Sequence, residues 1–247
     1  MSDLRVTFLG SGDAFGSGGR LQTCILVQGG GTGFLVDCGA SALISMRRFG
    51  AEPNAVETIV LSHLHGDHFG GVPFFILDAQ LISKRSTPLR IVGPPGTRQR
   101  LRETMDALFP GMSAVQQKYA IEITELTPGV RQEVAGLAIT PQAVRHTPGT
   151  EPLALRIECG GRVLCYTGDT EWCEDLVPAA QDADLLIAEA YFHDKRIPFH
   201  LDLASLQAHL GELRPRRVIL THMSADMLAR VPNLDFECAD DGLVVEV

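Results

Sequence analysis

The feature that most constrains this chain is a short segment, residues 62–71, in which metal-binding residue types lie close together. Its three histidines and one carboxylate fall within six residues, at His63, His65, Asp67 and His68. The segment directly follows the apolar run at 58–61, a pattern that predicts a buried strand opening into a loop. Imidazoles mixed with a carboxylate suit Zn, Mn or Fe better than Ca or Mg. We therefore expect a metal-binding loop at the end of a strand.

Three more residues of ligand type stand directly after apolar segments far along the chain, namely His146, Asp169 and His222. A lone histidine is more often a hydrogen-bonded structural residue than a metal ligand, so none of the three is informative alone. Each of them, however, repeats the order of the first segment, an apolar strand followed by a ligand type. Together they raise the number of potential ligands to seven, enough for two metal ions about 3.5–4 Å apart.

The composition favours a globular chain with a substantial core, because 45% of the 247 residues are hydrophobic and 21% are charged. No apolar run approaches the roughly 20 residues of a membrane span. The N-terminal residues lack the pattern of a signal peptide, so we expect a cytoplasmic protein with no membrane partner. The six cysteines form no CxxC pair, and we expect them to be reduced thiols.

The net charge of −9 and the pI near 5.3 argue against broad, nonspecific binding to nucleic acids, which depends on a cationic surface. The charge does not exclude nucleotides, or an RNA end that enters a site where metal ions supply the positive charge.

Hydrophobic patterning predicts two β-rich halves with helices between groups of strands. The predicted strands are 4–9, 24–28, 34–37, 58–61, 89–92, 121–126, 137–143, 153–159, 163–166, 184–188, 218–220 and 243–247. The predicted helices are 42–49, 72–83, 97–108, 203–213 and 225–230, with Asp202 as an expected N-cap. This arrangement predicts an α/β protein, a four-layer αββα sandwich, formed by one domain over residues 1–247.

The seven ligand-type residues, in this order along the chain, resemble those of the metallo-β-lactamase superfamily. The resemblance implies the αββα fold with a dinuclear metal site at one edge of the sandwich. One ion would be held by His63, His65 and His146. The other would be held by Asp67, His68 and His222, with Asp169 bridging the two. Two such ions would lower the pKa of a bridging water and produce hydroxide near neutral pH, and Asp67 would take or orient the water's proton.

Three segments narrow the resemblance, because residues 6–14, 62–71 and 219–224 are similar to those of the ribonuclease Z group. In that group, a glutamate and a histidine before the last metal ligand assist phosphodiester cleavage. Glu189 and His200 occupy those places here, which implies that His200 donates a proton to the leaving oxygen and that Glu189 orients it. The alternatives are a salt-bridged strand-end carboxylate for Glu189 and a helix-capping role for His200.

Two departures from the ribonuclease Z pattern bear on the substrate. Only the 22 residues 147–168 separate His146 from Asp169, which leaves no room for the long arm that grips tRNA in those enzymes. The His-Ser-Thr sequence typical around the catalytic histidine is also replaced by His200-Leu201-Asp202. Both changes favour a relative that lacks the arm and acts on a small phosphodiester or nucleotide. A β-lactamase is not expected, because those enzymes usually carry a cysteine where Asp169 stands.

The sequence therefore predicts a phosphodiesterase that uses a hydroxide bound by two divalent metal ions, with zinc preferred and Mn or Fe as alternatives. A tRNA 3′-processing endoribonuclease, a thioester or lactone hydrolase, and a non-catalytic metal-binding member of the fold are the other interpretations. The resemblance also implies a homodimer. The glycine-rich stretch at 10–19 does not fit a dinucleotide fingerprint, and we expect it to form a loop beside the metal site that contacts the substrate or a dimer partner.

Overall fold

Two seven-stranded β-sheets form the centre of the computed structural model, which describes residues 4–147, 149 and 151–247. With strands numbered along the chain, the first sheet contains, from edge to edge, β14 (Val244–Glu246), β1 (Arg5–Gly10), β2 (Cys24–Gly29), β3 (Thr32–Val36), β4 (Thr58–Val60), β5 (Leu89–Gly93) and β6 (Ile121–Glu125). The second contains, in the same manner, β13 (Glu237–Cys238), β12 (Val218–Thr221), β11 (Leu185–Glu189), β10 (Arg162–Tyr166), β9 (Leu153–Cys159), β8 (Leu137–Ala143) and β7 (Gln132–Val134).

Helices connect the strands and lie outside the two sheets. The α-helices are α1 (Ala42–Arg48), α2 (Gly66–Phe69), α3 (Val72–Leu81), α4 (Thr97–Leu108), α5 (Leu176–Ala180), α6 (Leu203–Leu213) and α7 (Ala225–Arg230). Single turns of 3-10 helix occur at Ser17–Gly19, Pro53–Ala55, Met112–Ala114 and Val231–Asn233. Among the residues that the structure describes, every helix is too short or too polar to span a bilayer.

Three hydrophobic clusters separate the layers. The central cluster joins the facing surfaces of both sheets, including Phe8 and Phe34 from the first and Ile157 and Ile187 from the second. A second cluster packs α1, α3 and α4 on the outer face of the first sheet. The third packs α5, α6 and α7 on the outer face of the second sheet. These contacts confirm the predicted four-layer αββα sandwich. The prediction of one domain over 1–247 stays a prediction, and its first three residues lie outside the described range.

Most predicted elements are present with ends shifted by one or two residues, and α4, α6 and α7 have the predicted bounds. Asp202 is the N-cap of α6, as expected, because its carboxylate accepts a hydrogen bond from the Ser205 amide at 2.8 Å. The elements that the sequence pattern missed are short: β7, β13, α2 and α5 contain two to five residues each. Segments of that length are too short to show a hydrophobic periodicity in the sequence. All six cysteines are free.

The strand directions bring the ends of many strands to one edge of the sandwich. Strands β3 to β6 are parallel to one another, and so are β10 to β13. Strand β8 runs the same way as β10, because each pairs antiparallel with β9. Since the carboxyl ends of parallel strands meet at the same edge, residues that follow them converge there.

Candidate metal centre

The segment after β4 supplies the first group of donors. Strand β4 ends at Val60, and the chain then forms a loop that leads into the single turn of α2, which carries Asp67 and His68. The chain after α2 packs tightly on the segment that contains Gly39, because a Cβ on Gly71 would lie 2.2 Å from the carbonyl oxygen of Gly39. Glycine at position 71 is therefore required for this approach.

The other three donors follow strands of the second sheet. His146 lies beyond the end of β8, Asp169 beyond the end of β10, and His222 directly after β12. His222 has a φ of +54°, the left-handed region that non-glycine residues seldom adopt, and its amide donates to the carbonyl of Ser11. Such backbone strain is concentrated at functional sites, where the surrounding structure holds it.

The seven predicted ligands meet in two adjoining clusters. In the first, the donor atoms of His63, His65 and His146 lie within 4.8 Å of one another, and His65 Nδ1 is 3.1 Å from His146 Nε2. The second cluster brings together donor atoms of four residues within the same limit: Asp67, His68, Asp169 and His222.

Asp169 lies between the clusters. Its Oδ1 is 3.3 Å from His68 Nε2, and its Oδ2 is 3.4 Å from His222 Nε2. The same Oδ2 is 4.0 Å from Nε2 of both His63 and His146. Asp169 is thus the carboxylate that faces donors of both clusters.

Two orphaned atoms indicate that this donor set fits a metal ion. Within the described part of the chain, His63 Nε2 and Asp169 Oδ1 are buried and have no hydrogen-bond partner. A buried polar atom left unpaired costs roughly 1–3 kcal/mol, so such atoms are uncommon in folded proteins. A cation bound between an imidazole nitrogen and a carboxylate oxygen would satisfy both, and imidazole with carboxylate is a donor set suited to a transition metal.

Supporting groups hold the imidazoles in orientation. Asp37 accepts from Ser62 Oγ and from His68 Nδ1, both at 2.7 Å, and Ser62 Oγ lies 3.0 Å from His63 Nδ1. Because the Ser62 hydroxyl donates to Asp37, its oxygen accepts a hydrogen bond from His63 Nδ1. The Nε2 atom of His63 then carries no proton and is free to bind a metal ion. His146 Nδ1 donates to the carbonyl of Phe199 at 2.9 Å in the same manner. Such partners fix the tautomer and orientation of metal-binding histidines.

Sequence reasoning did not identify Asp37 as part of the site. The residue directly follows β3 and therefore shows the same order, a buried strand and then a ligand type, that marked the other donors. Its side chain is fully buried and its φ is +58°. The strand-end signal applied to the first half of the chain could have found it.

The electrostatics differ between the two clusters. Burial lowers the pKa of His63 and of His65, and neighbouring histidines lower it further. Burial alone would also lower the pKa of His68, but the Asp169 and Asp37 carboxylates raise it above its usual range. For His222, Asp169, Asp67 and Glu189 outweigh burial and raise the pKa to about 10. The second cluster therefore attracts positive charge strongly, which is what a cation site requires.

The predicted pair of Glu189 and His200 lies beside the second cluster. His200 Nδ1 is 2.5 Å from Glu189 Oε1, and the other oxygen of the fully buried Glu189 accepts from the Thr170 amide at 2.9 Å. Tyr191 stacks on the His200 ring with 4.7 Å between centroids. Burial lowers the pKa of His200, but the bond to Glu189 more than compensates and raises it. The helix-capping alternative for His200 is wrong, because Asp202 caps α6.

A small cavity of about 140 Å³ opens over the donors. Beyond the donors, its walls are formed by Asp13, Ala14, Phe15, Thr147, Tyr191 and His200. The glycine-rich loop at 10–19 thus lies beside the donor clusters, as predicted. Asp13 stabilises this loop, because its carboxylate accepts from the amides of Phe15 and Ser17 at 3.1 and 2.9 Å.

Comparison with known proteins agrees with this geometry. The family model for the Beta-lactamase superfamily domain matches residues 32–223. A protein named Ribonuclease Z from Mycobacterium bovis strain BCG is 30% identical over 193 residues, which cover 74% of this chain and 69% of that protein.

Two solved structures share the fold. One is the metallo-beta-lactamase fold protein YhfI from Bacillus subtilis, with a TM-score of 0.77, 23% identity, and coverage of 99% of this chain and 100% of that one. The other is described as a new diphosphatase from the PhnP family, with a TM-score of 0.79, 20% identity, and coverage of 99% and 98%. The donor order, the αββα sandwich and the family match lead to one conclusion: the chain belongs to the metallo-β-lactamase superfamily of hydrolases, and within it to the ribonuclease-Z-like proteins.

Proposed function

We propose that the chain is a phosphodiesterase that depends on two divalent metal ions. The observation that carries this proposal is the His200–Glu189 pair, which stands 2.5 Å apart at the edge of the donor clusters with one ring nitrogen of His200 unused by Glu189. Expulsion of an alcohol from a phosphodiester benefits from such a proton donor, whereas a thioester expels a thiolate, a weaker base that leaves without one.

The two clusters suggest how the ions would be held. His63, His65 and His146 would bind one ion, while Asp67, His68 and His222 would bind the other. Asp169 would bridge them, since it faces donors of both clusters. The ions, when bound, would acidify a water molecule and offset the negative charge on the phosphoryl oxygens. Zinc is the preferred metal for this donor set, with Mn or Fe as alternatives.

The remaining chemistry belongs to the side chains. Asp67 would accept a proton from the attacking water as the water oxygen bonds to phosphorus. The bond from phosphorus to the leaving oxygen breaks, and its electron pair stays on that oxygen. His200 then donates the proton on its Nε2 to the leaving oxygen, and Glu189 orients and stabilises the imidazolium. The raised pKa of His200 supports this role, because it keeps the proton available at neutral pH.

The substrate would be a small phosphodiester or a nucleotide. Strands β9 and β10 fill the interval between His146 and Asp169, and Gly160 and Gly161 connect them directly, so the described residues of this interval form no extended arm. A protein with this fold is described as a diphosphatase of the PhnP family, a name that also indicates hydrolysis at phosphorus. A homodimer in the cytoplasm is part of the proposal, and gel filtration that gives a monomer mass of 26.7 kDa would contradict the dimer.

A second candidate, tRNA 3′ processing, is favoured by one observation, the likeness to Ribonuclease Z of Mycobacterium bovis. Net charge of −9 and the short interval between His146 and Asp169 count against a large polyanionic substrate.

The test is hydrolysis of bis(p-nitrophenyl) phosphate by purified protein, metal-free and reloaded with Zn or Mn, beside p-nitrophenyl acetate and a precursor tRNA. We expect metal-dependent cleavage of the diester and little cleavage of the ester. Ester cleavage alone would refute the phosphodiesterase proposal, and precursor tRNA cleavage at its 3′ side would move the assignment to the second candidate. The same assay applied to His200→Ala tests the proton donor. His193→Ala is its matched control, because His193 is a partly exposed histidine seven positions earlier in the sequence.

A further inference from the structure

His200 separates two cavities. On one side lies the cavity of about 140 Å³ over the donors, which we call the metal-side cavity. On the other side lies a larger cavity of about 480 Å³, which we call the Trp172 cavity. Its walls include Trp172, Arg196, Ile197, Pro198 and Ser205. His200 is the residue that lines both cavities.

This placement constrains where the two halves of a phosphodiester can lie. A proton donor must approach the leaving oxygen within hydrogen-bond distance, so the leaving group lies on the donor's side of the phosphorus. The metal-side cavity has room for a phosphoryl group and little more. The body of a leaving alcohol that touches His200 must therefore extend into the space beyond that residue, which is the Trp172 cavity.

We propose that the Trp172 cavity binds the leaving alcohol and that Phe15 contacts the ester group retained on phosphorus. This inference rests on the proposed phosphodiesterase function and deepens it, because it assigns the two arms of the substrate to two different surfaces.

The lining of the Trp172 cavity indicates what kind of alcohol it accepts. Trp172 stacks on His209 with 3.7 Å between ring centroids and 9° between planes, which gives the cavity a rigid aromatic wall. Ile197 and Pro198 add apolar surface. The Arg196 side chain, 78% exposed, lies at the rim with its Nε 3.9 Å from Asp202 Oδ2, and the carboxylates of Asp202 and Glu171 also line the cavity. A cavity of this size and lining suits an alcohol of about nucleoside size that carries an aromatic or heterocyclic ring.

Phe15 also lines the metal-side cavity. This side chain is 82% exposed, which is unusual for phenylalanine, and yet it stands on a loop that the Asp13 carboxylate holds in place. Phe15 lines both the metal-side cavity and an open depression that it shares with Ile44, which is 60% exposed. An exposed ring on a rigid loop is a suitable contact for a base or an apolar ester group.

Three diesters separate the two assignments: methyl p-nitrophenyl phosphate, methyl 4-nitronaphthyl phosphate and thymidine 5′-(p-nitrophenyl phosphate). The first and second differ in the leaving group, and the first and third differ in the retained group. We expect Trp172→Ala to reduce the preference for nitronaphthyl over nitrophenyl about tenfold and to leave the thymidine preference unchanged. Phe15→Ala should show the reverse pattern.

The substrate preferences of the Trp172 and Phe15 variants show whether the two arms are assigned correctly. If both variants alter the same preference, or if Trp172→Ala alters only the thymidine preference, the assignment of the two arms is wrong. If the metal-loaded wild type cleaves none of the three diesters, the proposed function itself fails. Ile82→Ala removes another exposed apolar side chain, 66% exposed, and should change neither preference. Trp172→Phe keeps an aromatic ring and should retain most of the preference, which separates a lost contact from a misfolded variant.

A binding measurement tests the cavity without turnover. Trp172 is the single tryptophan of the chain, so tryptophan fluorescence, excited selectively, reports on this cavity. We expect 4-nitro-1-naphthol, the leaving alcohol of the second diester, to quench that fluorescence in a saturable manner, ribose to have little effect, and Phe15→Ala to preserve the response. 4-Nitro-1-naphthol that inhibits diester hydrolysis without changing the fluorescence would overturn the assignment of the Trp172 cavity.

Discussion

The two halves of the chain build the donor clusters in different ways. The first half contributes four donors from a single six-residue stretch, and one buried carboxylate, Asp37, orients two of them, His68 directly and His63 through Ser62. The second half contributes His146, Asp169 and His222 from the ends of separate strands, and the Phe199 carbonyl orients His146. A change in Asp37 is thus expected to disturb the orientation of His63 and His68 together, while the donors of the second half, which come from separate strands, are expected to respond one at a time.

The largest expected effect comes from the residue at which the two halves meet. Asp169→Ala removes the carboxylate that faces both clusters, and we expect diester hydrolysis to fall about 10³-fold or more, since a metal ion contributes several kcal/mol to charge stabilisation. Bound metal per chain, measured by atomic emission, should fall as well. Asp194→Ala, a change of an exposed carboxylate, is the control. Full metal content in the Asp169 variant would contradict its position between two ions.

Asp37→Asn tests the shared support in the first half. We expect metal affinity to fall 10–100-fold, the usual range for partners that orient metal-binding histidines, because His63 and His68 lose their common acceptor. Asp78→Asn is the matched control, because Asp78 is also a buried carboxylate but contacts Arg47 and Ser83 far from the donors. Equal loss of metal affinity in both variants would mean that Asp37 acts only through stability.

His200→Ala tests a group of the second half that acts on the substrate. With an alkyl leaving group, we expect a loss of about 10²-fold, and with the better p-nitrophenyl leaving group a smaller one. The protonated imidazole is the donor, and Glu189 raises its pKa above 6.5, so activity should persist at neutral pH and decline as the pH rises through the raised pKa. Glu189→Gln should move that decline to lower pH. An unchanged profile in the Glu189 variant would refute this coupling.

The smallest effect is expected from Tyr119→Phe, a change in the first half of the chain at a residue that is not a metal donor. Tyr119 is buried and donates to the carbonyl of Ile76 at 3.1 Å, so Tyr119→Phe should lower the free energy of unfolding by about 1 kcal/mol without changing metal affinity. Burial raises the pKa of Tyr119 to about 12, which means that the neutral phenol is favoured in the folded state. The contribution of the neutral Tyr119 phenol to the free energy of unfolding is complete below about pH 10, where the phenol is also neutral in the unfolded chain. It is lost as the pH rises toward 12. Urea unfolding of both proteins across this range should show a shallower alkaline decline in the variant.

Much of the fold and the donor set could be predicted because both are encoded in local order. Each donor follows a buried strand, so the hydrophobic run and the ligand type lie next to each other in the sequence, as at 58–68. The pairing of Glu189 with His200 came from resemblance, and the structure places the two side chains in contact. By contrast, the strand-end order at Asp37 indicates only a ligand type, and its supporting role depends on which strands become adjacent in space.

The Trp172 cavity was beyond sequence reasoning for a related reason. Trp172 and His209 are 37 positions apart, and their stacking depends on how α6 packs beside the loop that follows β10. Nothing in either segment alone distinguishes a cavity wall from ordinary packing. The metal donors could be recognised by their chemistry, whereas the walls of the cavities are defined only by contacts across the fold.

The first and last segments of the chain are joined at the donor clusters, and this has a consequence for how the protein is made. Strand β14 pairs with β1, the carboxylate of Asp241 accepts from the amides of Ser11 and Leu21, and the Ser11 carbonyl accepts from the amide of His222. On the ribosome, the segment around Ser11 emerges long before Asp241 and His222 are synthesised. The centre can therefore be completed only after the segment from His222 to Asp241 has left the ribosome, and metal incorporation becomes a late step in the maturation of this domain.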